Sequence, residues 1–428
     1  MRDIFVTMIV LGVLPAVLFQ PWIGVLLWSW ISYMSPHRLA YGFAVDFPFA
    51  MFIALFTFVG LVFSKESKKI PWTRETIILS IFILWMLIST FTAVYGNLAW
   101  LQLEKVIKIQ VMTFVALMIM GSKKRLTYLV WIIVLSLGFY GVKGGIFTIT
   151  SGGGFRVQGP QGTFIDGNNE IGLALIMTIP LMRFLQLQIK QWYFRHAMTV
   201  AMLLTFIAVL GTQSRGALVG VSAMVLFLVI KSRRKFLLLA LLLGTAPLAY
   251  NFMPTSWHER MSTIQTFEED SSAMERIDAW TFAYNQALER PLNGGGFEVF
   301  SGNTDAHSIY FEVLGEHGFV GLALFLCLGF SAWFTGGWIL RRTRKKEELR
   351  WCYDLATMLQ VSLVGYAVSG AFLGLAYFDL YYHLIAMMVL TKILVYKHLV
   401  DEKEMLAVVA SGESKDNVRL KRMKRHSI

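Results

Sequence analysis

The chain has 428 residues, of which 56% are hydrophobic, 14% aromatic and only 15% charged. Soluble domains carry about a quarter charged residues, so this deficit, spread along the whole chain, excludes a soluble enzyme and predicts an all-α integral membrane protein. The formal net charge of +12 does not indicate nucleic acid as a partner, because the Lys and Arg residues form short clusters between apolar runs. Clusters in such places orient a membrane protein.

About twelve apolar runs follow one another along the chain, and each is close to the ~20 residues that cross a bilayer as a helix. The runs are residues 4–34, 47–64, 76–95, 101–120, 126–146, 171–188, 197–210, 215–230, 236–252, 307–340, 353–374 and 377–396. Pro15 and Pro21 interrupt the first run. We therefore interpret that run as one broken span or as a span followed by a re-entrant piece.

The basic clusters predict the orientation of these runs. They lie at residues 65–74, 123–125, 190–195, 231–235, 341–346 and 419–425. Counting one crossing for each run places every cluster on the same side, which the positive-inside rule makes cytoplasmic. Both termini are then predicted to be cytoplasmic. The predicted divisions are N-terminal spans 1–146, an outer Gly-rich loop 147–170, central spans 171–252, a large outer loop 253–306 that contains a helix, C-terminal spans 307–396 and a basic tail 397–428.

The two outer loops are where we expect chemistry. Loop 147–170 is rich in Gly and Pro, which predicts an irregular, shaped segment. Loop 253–306 is long, and its apolar residues between positions 271 and 289 recur at helical spacing. Loops of this length in compact proteins are usually functional or disordered. The helical pattern favours an ordered lid.

His307 stands at the outer end of a long predicted helix. Asp305 is placed to cap that helix, which puts His307 in the first turn, where the helix dipole disfavours imidazolium. A neutral imidazole at this place can accept a proton. The alternative is an interfacial histidine without a catalytic role. Gly315, Gly318 and Gly321 recur every third residue and predict the close approach of a neighbouring helix.

Several cations are predicted near the same face. Arg215 stands where one apolar run ends and the next begins, so that unpaired backbone N–H groups and a guanidinium suit phosphate oxygens. Its alternative role is snorkelling to lipid headgroups. Arg276 lies on the predicted loop helix, where a surface ion pair is the alternative. Arg156 in the Gly-rich loop and Lys143 complete a possible cationic pocket, because a lysine so near lipid favours a polar cavity. Arg260 is a weaker candidate, since ordinary loop surface explains it as well.

The sequence predicts neither a metal site nor a cofactor. Residues 268–270 form the only acidic cluster of the predicted outer loops, and they resemble a solvated loop more than a set of ligands. The histidines do not gather with Cys or carboxylates at zinc spacing. A phosphate-binding G-x-x-x-x-G-K-[ST] segment is also absent from the sequence.

One combination of residues resembles a known family. His307-Ser308, nine further residues and then Gly318-Phe319-Val320-Gly321 resemble the H-[NSQ]-x9-G-x-x-G signature of the bacterial O-antigen ligases and their polymerase relatives. Arg215 between Ser and Gly, Arg276 with Trp280, and the stretch 291–296 occur in an order similar to that of the family. Residues 1–38 and 143–169 also resemble the exosortase-associated O-glycosylation ligase branch.

This resemblance implies a glycosyltransferase of the bacterial inner membrane that needs neither metal nor ATP. It would transfer a glycan from undecaprenyl pyrophosphate to lipid A–core oligosaccharide at a periplasmic active site, with inversion of the anomeric centre. The resemblance implies that His307 is the general base and that Arg215 and Arg276 neutralise the pyrophosphate. It further implies Arg156 and Lys143 as pyrophosphate-binding residues.

The resemblance also implies Arg260 as a pyrophosphate-binding residue. It does not determine which acceptor receives the glycan. Ser308 occupies a signature position where Asn is also common, which leaves an O-antigen ligase, a polymerase and a protein O-oligosaccharyltransferase as alternatives. A non-enzymatic alternative is a flippase or transporter of lipid-linked glycans. A transporter needs charges and broken helices near the middle of the bilayer. The predicted charged candidates instead lie at the outer ends of the spans.

Overall fold

The computed structural model describes residues 1–66, 68–232, 236, 239–240, 244, 247, 250–262, 271–301 and 305–410. Over these residues the protein is helical and has no strand, which confirms the predicted all-α class. The helices are α1 (Arg2–Phe19), α2 (Pro21–Met34), α3 (Phe49–Phe63), α4 (Arg74–Phe91), α5 (Gly96–Ile119), α6 (Lys123–Thr150), α7 (Asn168–Gln188), α8 (Trp192–Gly211), α9 (Arg215–Lys231), α10 (Thr255–Ser262), α11 (Ser271–Glu289), α12 (Ile309–Thr343), α13 (Arg350–Ser369) and α14 (Asp379–Ala410). Short 3-10 helices cover Pro36–Leu39, Phe43–Val45, Glu347–Leu349 and Gly370–Phe372.

The protein is a multi-pass membrane protein. Within the described part of the chain, 8 helices are long and apolar enough to cross a bilayer. They are α1, α4, α6, α7, α8, α12, α13 together with its flanking 3-10 turns, and α14. Most of the predicted run 236–252 lies outside the described residues. The total of about twelve spans stays a prediction. Helix α7 is central, since 83% of its most apolar window is buried.

The first apolar run forms two antiparallel helices, and of these two only α1 is among the helices long and apolar enough to cross a bilayer. How often this run crosses stays a prediction. Arg2, at the start of α1, donates a hydrogen bond to the carbonyl of Leu39 beyond the end of α2 (3.1 Å). Trp22, at the start of α2, instead stacks on Tyr128 at 5.9 Å, with the Arg125 guanidinium 5.5 Å from its ring. The two ends of α1 are ~27 Å apart, because the helix has 18 residues. The start of α1 lies near the end of α2, so the two helices run in opposite directions. The break at Gln20–Pro21 allows this reversal.

The basic clusters of the described residues share one face of the helical bundle, which we name the basic face. Lys123 lies 5.3 Å from the ring of Trp351 at the start of α13, and Lys346 forms an ion pair with Glu402 near the end of α14. Because Arg125 belongs to the same cluster as Lys123, Trp22 also lies at this face. The N-terminus and the end of α14 therefore lie at opposite faces. This arrangement differs from the predicted shared side of the termini, and the side of the membrane on which each terminus lies stays a prediction.

The opposite face, which we name the loop face, carries the connections 35–48, 92–95, 151–167, 211–215, 291–301, 305–308 and 370–378. Helix α12 crosses from this face to the basic face in two arms. Gly318 lies between the arms with φ 67° and ψ −170°, which is not helical. The second arm, residues 319–343, is ~37 Å long and suffices to span a bilayer by itself. The first arm, residues 309–317, therefore projects beyond it on the loop face.

Candidate active site

His307 lies on the loop face immediately before the first turn of α12. Its backbone is left-handed, with φ 50°, a conformation in which histidine is enriched relative to most residues. The Oγ of Ser308 caps the helix by accepting a hydrogen bond from the N–H of Tyr310 at 3.3 Å. The prediction that Asp305 caps the helix and that His307 lies in its first turn is therefore wrong. The His307 side chain is 26% exposed, so a substrate can reach it.

Asp305 places a carboxylate beside the His307 imidazole. Its Oδ2 lies 3.5 Å from Nδ1 of the ring. Partial burial raises the pKa of Asp305, and the imidazole and nearby backbone N–H groups, including that of Gly374, oppose this shift. The absence of a side chain at Gly374 leaves room for the Asp305 carboxylate, since a Cβ at residue 374 would lie 2.6 Å from Asp305 Oδ1. With Nδ1 turned toward Asp305, Nε2 is the ring nitrogen left for a substrate.

Helix α11 runs parallel to the first arm of α12 and carries Arg276 toward His307. Trp280 stacks on Phe311, with ring centroids 5.1 Å apart and planes at 10°. One turn further along both helices, Gly315 of α12 packs against Ala283 of α11, since a Cβ built on Gly315 would lie 3.4 Å from the Ala283 side chain. Arg276 lies one turn before Trp280 on α11, and His307 lies four residues before Phe311, outside α12. Both residues therefore lie on the same side of the Trp280–Phe311 contact.

Arg215 is the first residue of α9, in a tight turn that the Gly-rich loop braces. The Oγ of Ser214 caps α9 by accepting a hydrogen bond from the N–H of Ala217 at 3.1 Å. Gln213 is left-handed, with φ 52°, and its Nε2 donates to the carbonyl of Gly153 at 2.9 Å. The turn between α8 and α9 thus holds Arg215 at the loop face, as the sequence predicts.

The 3-10 helix Gly370–Phe372 links the start of α9 to the start of α12. A Cβ at Gly216 would lie 2.8 Å from the Phe372 side chain, and one at Gly370 would lie 2.7 Å from Ile309. Gly216, next to Arg215, and Ile309, two residues after His307, thus both pack against this short turn. The fold brings together the regions that hold Arg215, Arg276 and His307.

Lys143 and Arg156 form a separate group. Both line a cavity of about 290 Å³ beneath the Gly-rich loop, together with Leu39 and Tyr140. This cavity lies between α6 and the loop that follows α2, away from α11 and α12. Arg260 lies on α10, and its side chain is outside what the structure describes. The prediction that these three residues bind pyrophosphate stays a prediction.

Two carboxylates on the first arm of α12, buried Glu316 and half-buried Glu312, were not predicted from the sequence. Oε1 of Glu316 accepts from the N–H of Glu298 at 2.9 Å, and its Oε2 accepts from the hydroxyl of Tyr377 at 2.5 Å. Oε2 of Glu312 accepts from the N–H of Ala376 at 2.9 Å. These bonds fix the segments 297–298 and 375–378 on either side of the arm that presents His307. The detectable signal was two acidic residues one turn apart in an apolar run, which need buried partners.

His317 is structural by its surroundings. Its side chain is fully buried, and its Nδ1 makes a 2.7 Å hydrogen bond with the hydroxyl of Ser89. The ring of Phe297 packs edge-on against it at 4.6 Å. This histidine joins α4 to the first arm of α12 and lies out of reach of a substrate, whereas His307 is accessible.

The Gly-rich turn 291–296 occupies the break in α12. The N–H groups of Gly295 and Gly296 donate to the carbonyls of Gly315 and Glu316, both at 2.8 Å, and Phe319 donates to Pro291 at 2.9 Å. These bonds satisfy backbone groups that the break leaves without helical partners. The predicted close approach at the glycines is therefore made by this turn at Gly318 and by helix α11 at Gly315.

Among the described residues, no group of three or more His, Cys, Asp or Glu side chains could hold a metal ion. The acidic cluster at residues 268–270 lies outside the described residues.

Comparison with known families divides the chain in two. Residues 200–326 match the model of the O-antigen ligase family. Over these residues the chain belongs to the O-antigen ligase family. The match contains Arg215, Arg276 and His307, and it ends inside the second arm of α12. Residues 1–190, which include Lys143 and Arg156, match a family of unknown function (DUF5935). No curated protein matches the chain. The match to the ligase family supports the interpretation of this protein as a membrane transferase that acts on lipid-linked glycans.

Proposed function

We propose that this protein is an O-antigen ligase that transfers a glycan from undecaprenyl pyrophosphate to lipid A–core oligosaccharide. The basic face is cytoplasmic by the positive-inside rule, so the loop face opens to the periplasm of a bacterial inner membrane. One observation carries the proposal. Within the segment that matches the ligase family, the accessible His307 imidazole lies beside the Asp305 carboxylate at the loop face. Arg276 lies one helical turn before Trp280, which stacks on Phe311 of the first arm of α12.

His307 is the general base of the reaction. Its Nε2 takes the proton from the acceptor sugar hydroxyl as that oxygen attacks the anomeric carbon of the donor. Asp305, at 3.5 Å from Nδ1, holds the ring and stabilises the imidazolium that forms. The proton then passes to solvent.

Arg215 and Arg276 receive the negative charge that develops on the leaving group. The bond between the anomeric carbon and the pyrophosphate oxygen breaks as the new glycosidic bond forms, so undecaprenyl pyrophosphate leaves from the opposite side and the configuration inverts. Guanidinium groups match phosphate oxygens with paired N–H donors. The partial positive charge at the N-terminal end of α9 adds to this site.

Substitution of His307 tests the assignment. The purified protein is given a lipid-linked glycan donor and rough lipopolysaccharide as acceptor, and His307→Ala is compared with wild type. General-base catalysis contributes roughly 10²- to 10⁴-fold, so transfer should fall by about that factor. His398→Ala is the matched control, because His398 pairs with Glu348 at the basic face.

Undiminished transfer by His307→Ala would refute the catalytic role. The acceptor is tested separately by replacing rough lipopolysaccharide with a second lipid-linked glycan or with a Ser-containing peptide. Transfer to the former alone would make the protein a polymerase, and transfer to the latter alone would make it a protein O-oligosaccharyltransferase.

A further inference from the structure

Lys143 lies where three cavities meet in the N-terminal region. It is exposed on α6, two turns before that helix ends at the loop face. A cavity of about 710 Å³ lies between α1 and α6, and another of about 570 Å³ lies between α6 and α8. The third is the cavity of about 290 Å³ beneath the Gly-rich loop. Lys143 lines all three.

The two larger cavities are apolar clefts on either side of one aromatic ring. Phe139, one turn below Lys143, lines both clefts. The first is otherwise lined chiefly by apolar residues of α1, and the second by apolar residues of α6, α7 and α8. Val134 lies at the far end of the second cleft, nine residues or ~13 Å along α6 from Lys143 toward the basic face. The clefts therefore extend into the hydrocarbon layer.

Cations surround the upper end of these clefts. Arg2 lines the first cleft, and its guanidinium is anchored by a hydrogen bond to the Leu39 carbonyl at 3.1 Å. Arg156 lines the small cavity above, and Leu39 lines both. Among the described residues, no carboxylate forms an ion pair with Arg2, Lys143 or Arg156. In the described part of the chain, positive charge is thus gathered at this end of the clefts without an ion-paired carboxylate.

We propose that this region binds an anionic phospholipid with two acyl chains. The phosphate lies at Lys143 between Arg2 and Arg156, and one acyl chain enters the cleft on each side of Phe139. The charges require an anion, and the clefts require apolar chains. Two clefts that diverge from one cation fit a diacyl lipid better than a single polyprenyl chain. This site is separate from that of Arg215 and Arg276, and it gives the N-terminal region of unknown function a ligand class.

The site also has a physical connection to the catalytic region. The loop that carries Arg156 continues to Val157, whose N–H donates to the carbonyl of Gly211 at 2.9 Å. Gly211 ends α8, just before the turn that presents Arg215. A phosphate bound by Arg156 therefore stabilises the loop that braces this turn. That consequence rests on the proposed function, whereas binding of the lipid does not.

Native mass spectrometry of the purified full chain tests the site. Dioleoyl phosphatidylglycerol and dioleoyl phosphatidylcholine are titrated separately, and the Kd of the first bound lipid is compared. A basic side chain near a membrane surface contributes about fivefold in affinity for an anionic lipid. Wild type should prefer phosphatidylglycerol, and Lys143→Gln with Arg156→Gln should lose about 25-fold of that preference. Lys105→Gln, at an exposed position of α5, is the control and should bind as wild type does.

Three results would overturn the proposal. The first is an unchanged preference in the double variant. The second is displacement of phosphatidylglycerol by glycerol 3-phosphate, which would mean that the site binds only a free anion. The third is loss of undecaprenyl pyrophosphate binding with phosphatidylglycerol binding intact, which would assign both residues to the donor. His307→Ala should bind phosphatidylglycerol like wild type, so failure of this site and failure of the ligase assignment are distinguishable.

Discussion

The hydroxyl of Tyr377 donates a 2.5 Å hydrogen bond to Oε2 of Glu316, and this bond ties the segment before α14 to the first arm of α12. Glu316 also accepts from the N–H of Glu298. One buried carboxylate thus joins three segments around the first arm of α12. Since His307 stands at that start, the geometry of the imidazole depends on a side chain that no substrate touches.

Glu316→Ala should lower both stability and transfer. It leaves the Tyr377 hydroxyl and the Glu298 N–H buried without their acceptor, at ~1–3 kcal/mol for each group. We expect a lower unfolding temperature in detergent and a fall in kcat larger than any rise in KM. Glu289→Ala, at the exposed end of α11, is the control. An unchanged unfolding temperature in Glu316→Ala would show that the carboxylate does not hold these segments together.

Asp305→Asn should show a defect that depends on pH. Asp305 lies 3.5 Å from Nδ1 of His307, and two unit charges about 4 Å apart interact by ~1–4 kcal/mol between bulk water and a protein surface, so kcat at neutral pH should fall roughly 5- to 1000-fold. Burial raises the pKa of Asp305, so wild type loses the carboxylate at a higher pH than an ordinary aspartate does as the pH falls. Asn cannot titrate. The ratio of wild-type to variant kcat should therefore be largest at neutral pH and shrink toward acid.

The pH profile separates this role from simple damage to the fold. A variant that is merely misfolded would show a constant ratio across the pH range. A ratio that grows toward acid would contradict the role of the Asp305 carboxylate.

Arg215→Lys should impair transfer although it keeps the positive charge. Lysine lacks the paired N–H donors with which a guanidinium holds two phosphate oxygens. Loss of one charge-assisted hydrogen bond costs ~1.5–3 kcal/mol, so we expect kcat/KM for the lipid-linked donor to fall roughly 10- to 100-fold. Arg195→Lys, exposed at the start of α8, is the control. Wild-type kinetics for Arg215→Lys would assign Arg215 to lipid headgroups instead.

The helical class was predictable from the sequence because its signal is local, whereas the catalytic roles of His307, Arg215 and Arg276 stay predictions. Apolar runs of span length define the membrane helices, and the spacing from His307 to Gly318 identified the family signature. The partners of Glu312 and Glu316 were not predictable, since Ala376 and Tyr377 lie about sixty residues further along the chain. Only the folded chain brings them together.

The backbone of His307 and the path of the first run escaped prediction for a different reason. Whether a Pro in an apolar run kinks a helix or reverses the chain depends on what packs against it, and no charged residue marks the reversal at Pro21. In the same way, either Asp305 or Ser308 could cap α12. The left-handed conformation of His307 decides between them.

The N-terminal hairpin predicts a topology that can be measured. A protease-cleavable tag at the N-terminus should be cut by protease added outside spheroplasts, because Arg2 lies at the loop face beside Leu39. A tag at the C-terminus should be cut only after lysis, because α14 reaches the basic face, where Glu402 pairs with Lys346. Protection of both tags in intact spheroplasts would place both termini on the cytoplasmic side. That result would contradict the antiparallel arrangement of α1 and α2.

Gly318→Ala should destabilise the protein strongly. Gly318 has φ 67° and ψ −170°, a region that is essentially open to glycine alone. A Cβ at this position would lie 2.5 Å from the carbonyl oxygen of Leu292 and 2.7 Å from that of Pro291. The turn 291–296 would have to leave the break in α12, with loss of the hydrogen bond from Phe319 to Pro291. Such backbone strain costs on the order of 1–3 kcal/mol before the clash is counted.

The same helix offers a matched control. Gly337 lies in the second arm of α12, and a Cβ there would meet nothing within 4 Å. Alanine is the better helix former by ~1 kcal/mol, so Gly337→Ala should leave the unfolding temperature in detergent unchanged or raise it. Gly318→Ala should lower that temperature by several degrees and reduce transfer with it, since the displaced turn no longer supports the arm that carries His307. Equal unfolding temperatures for the two variants would mean that α12 runs through residue 318 without the break.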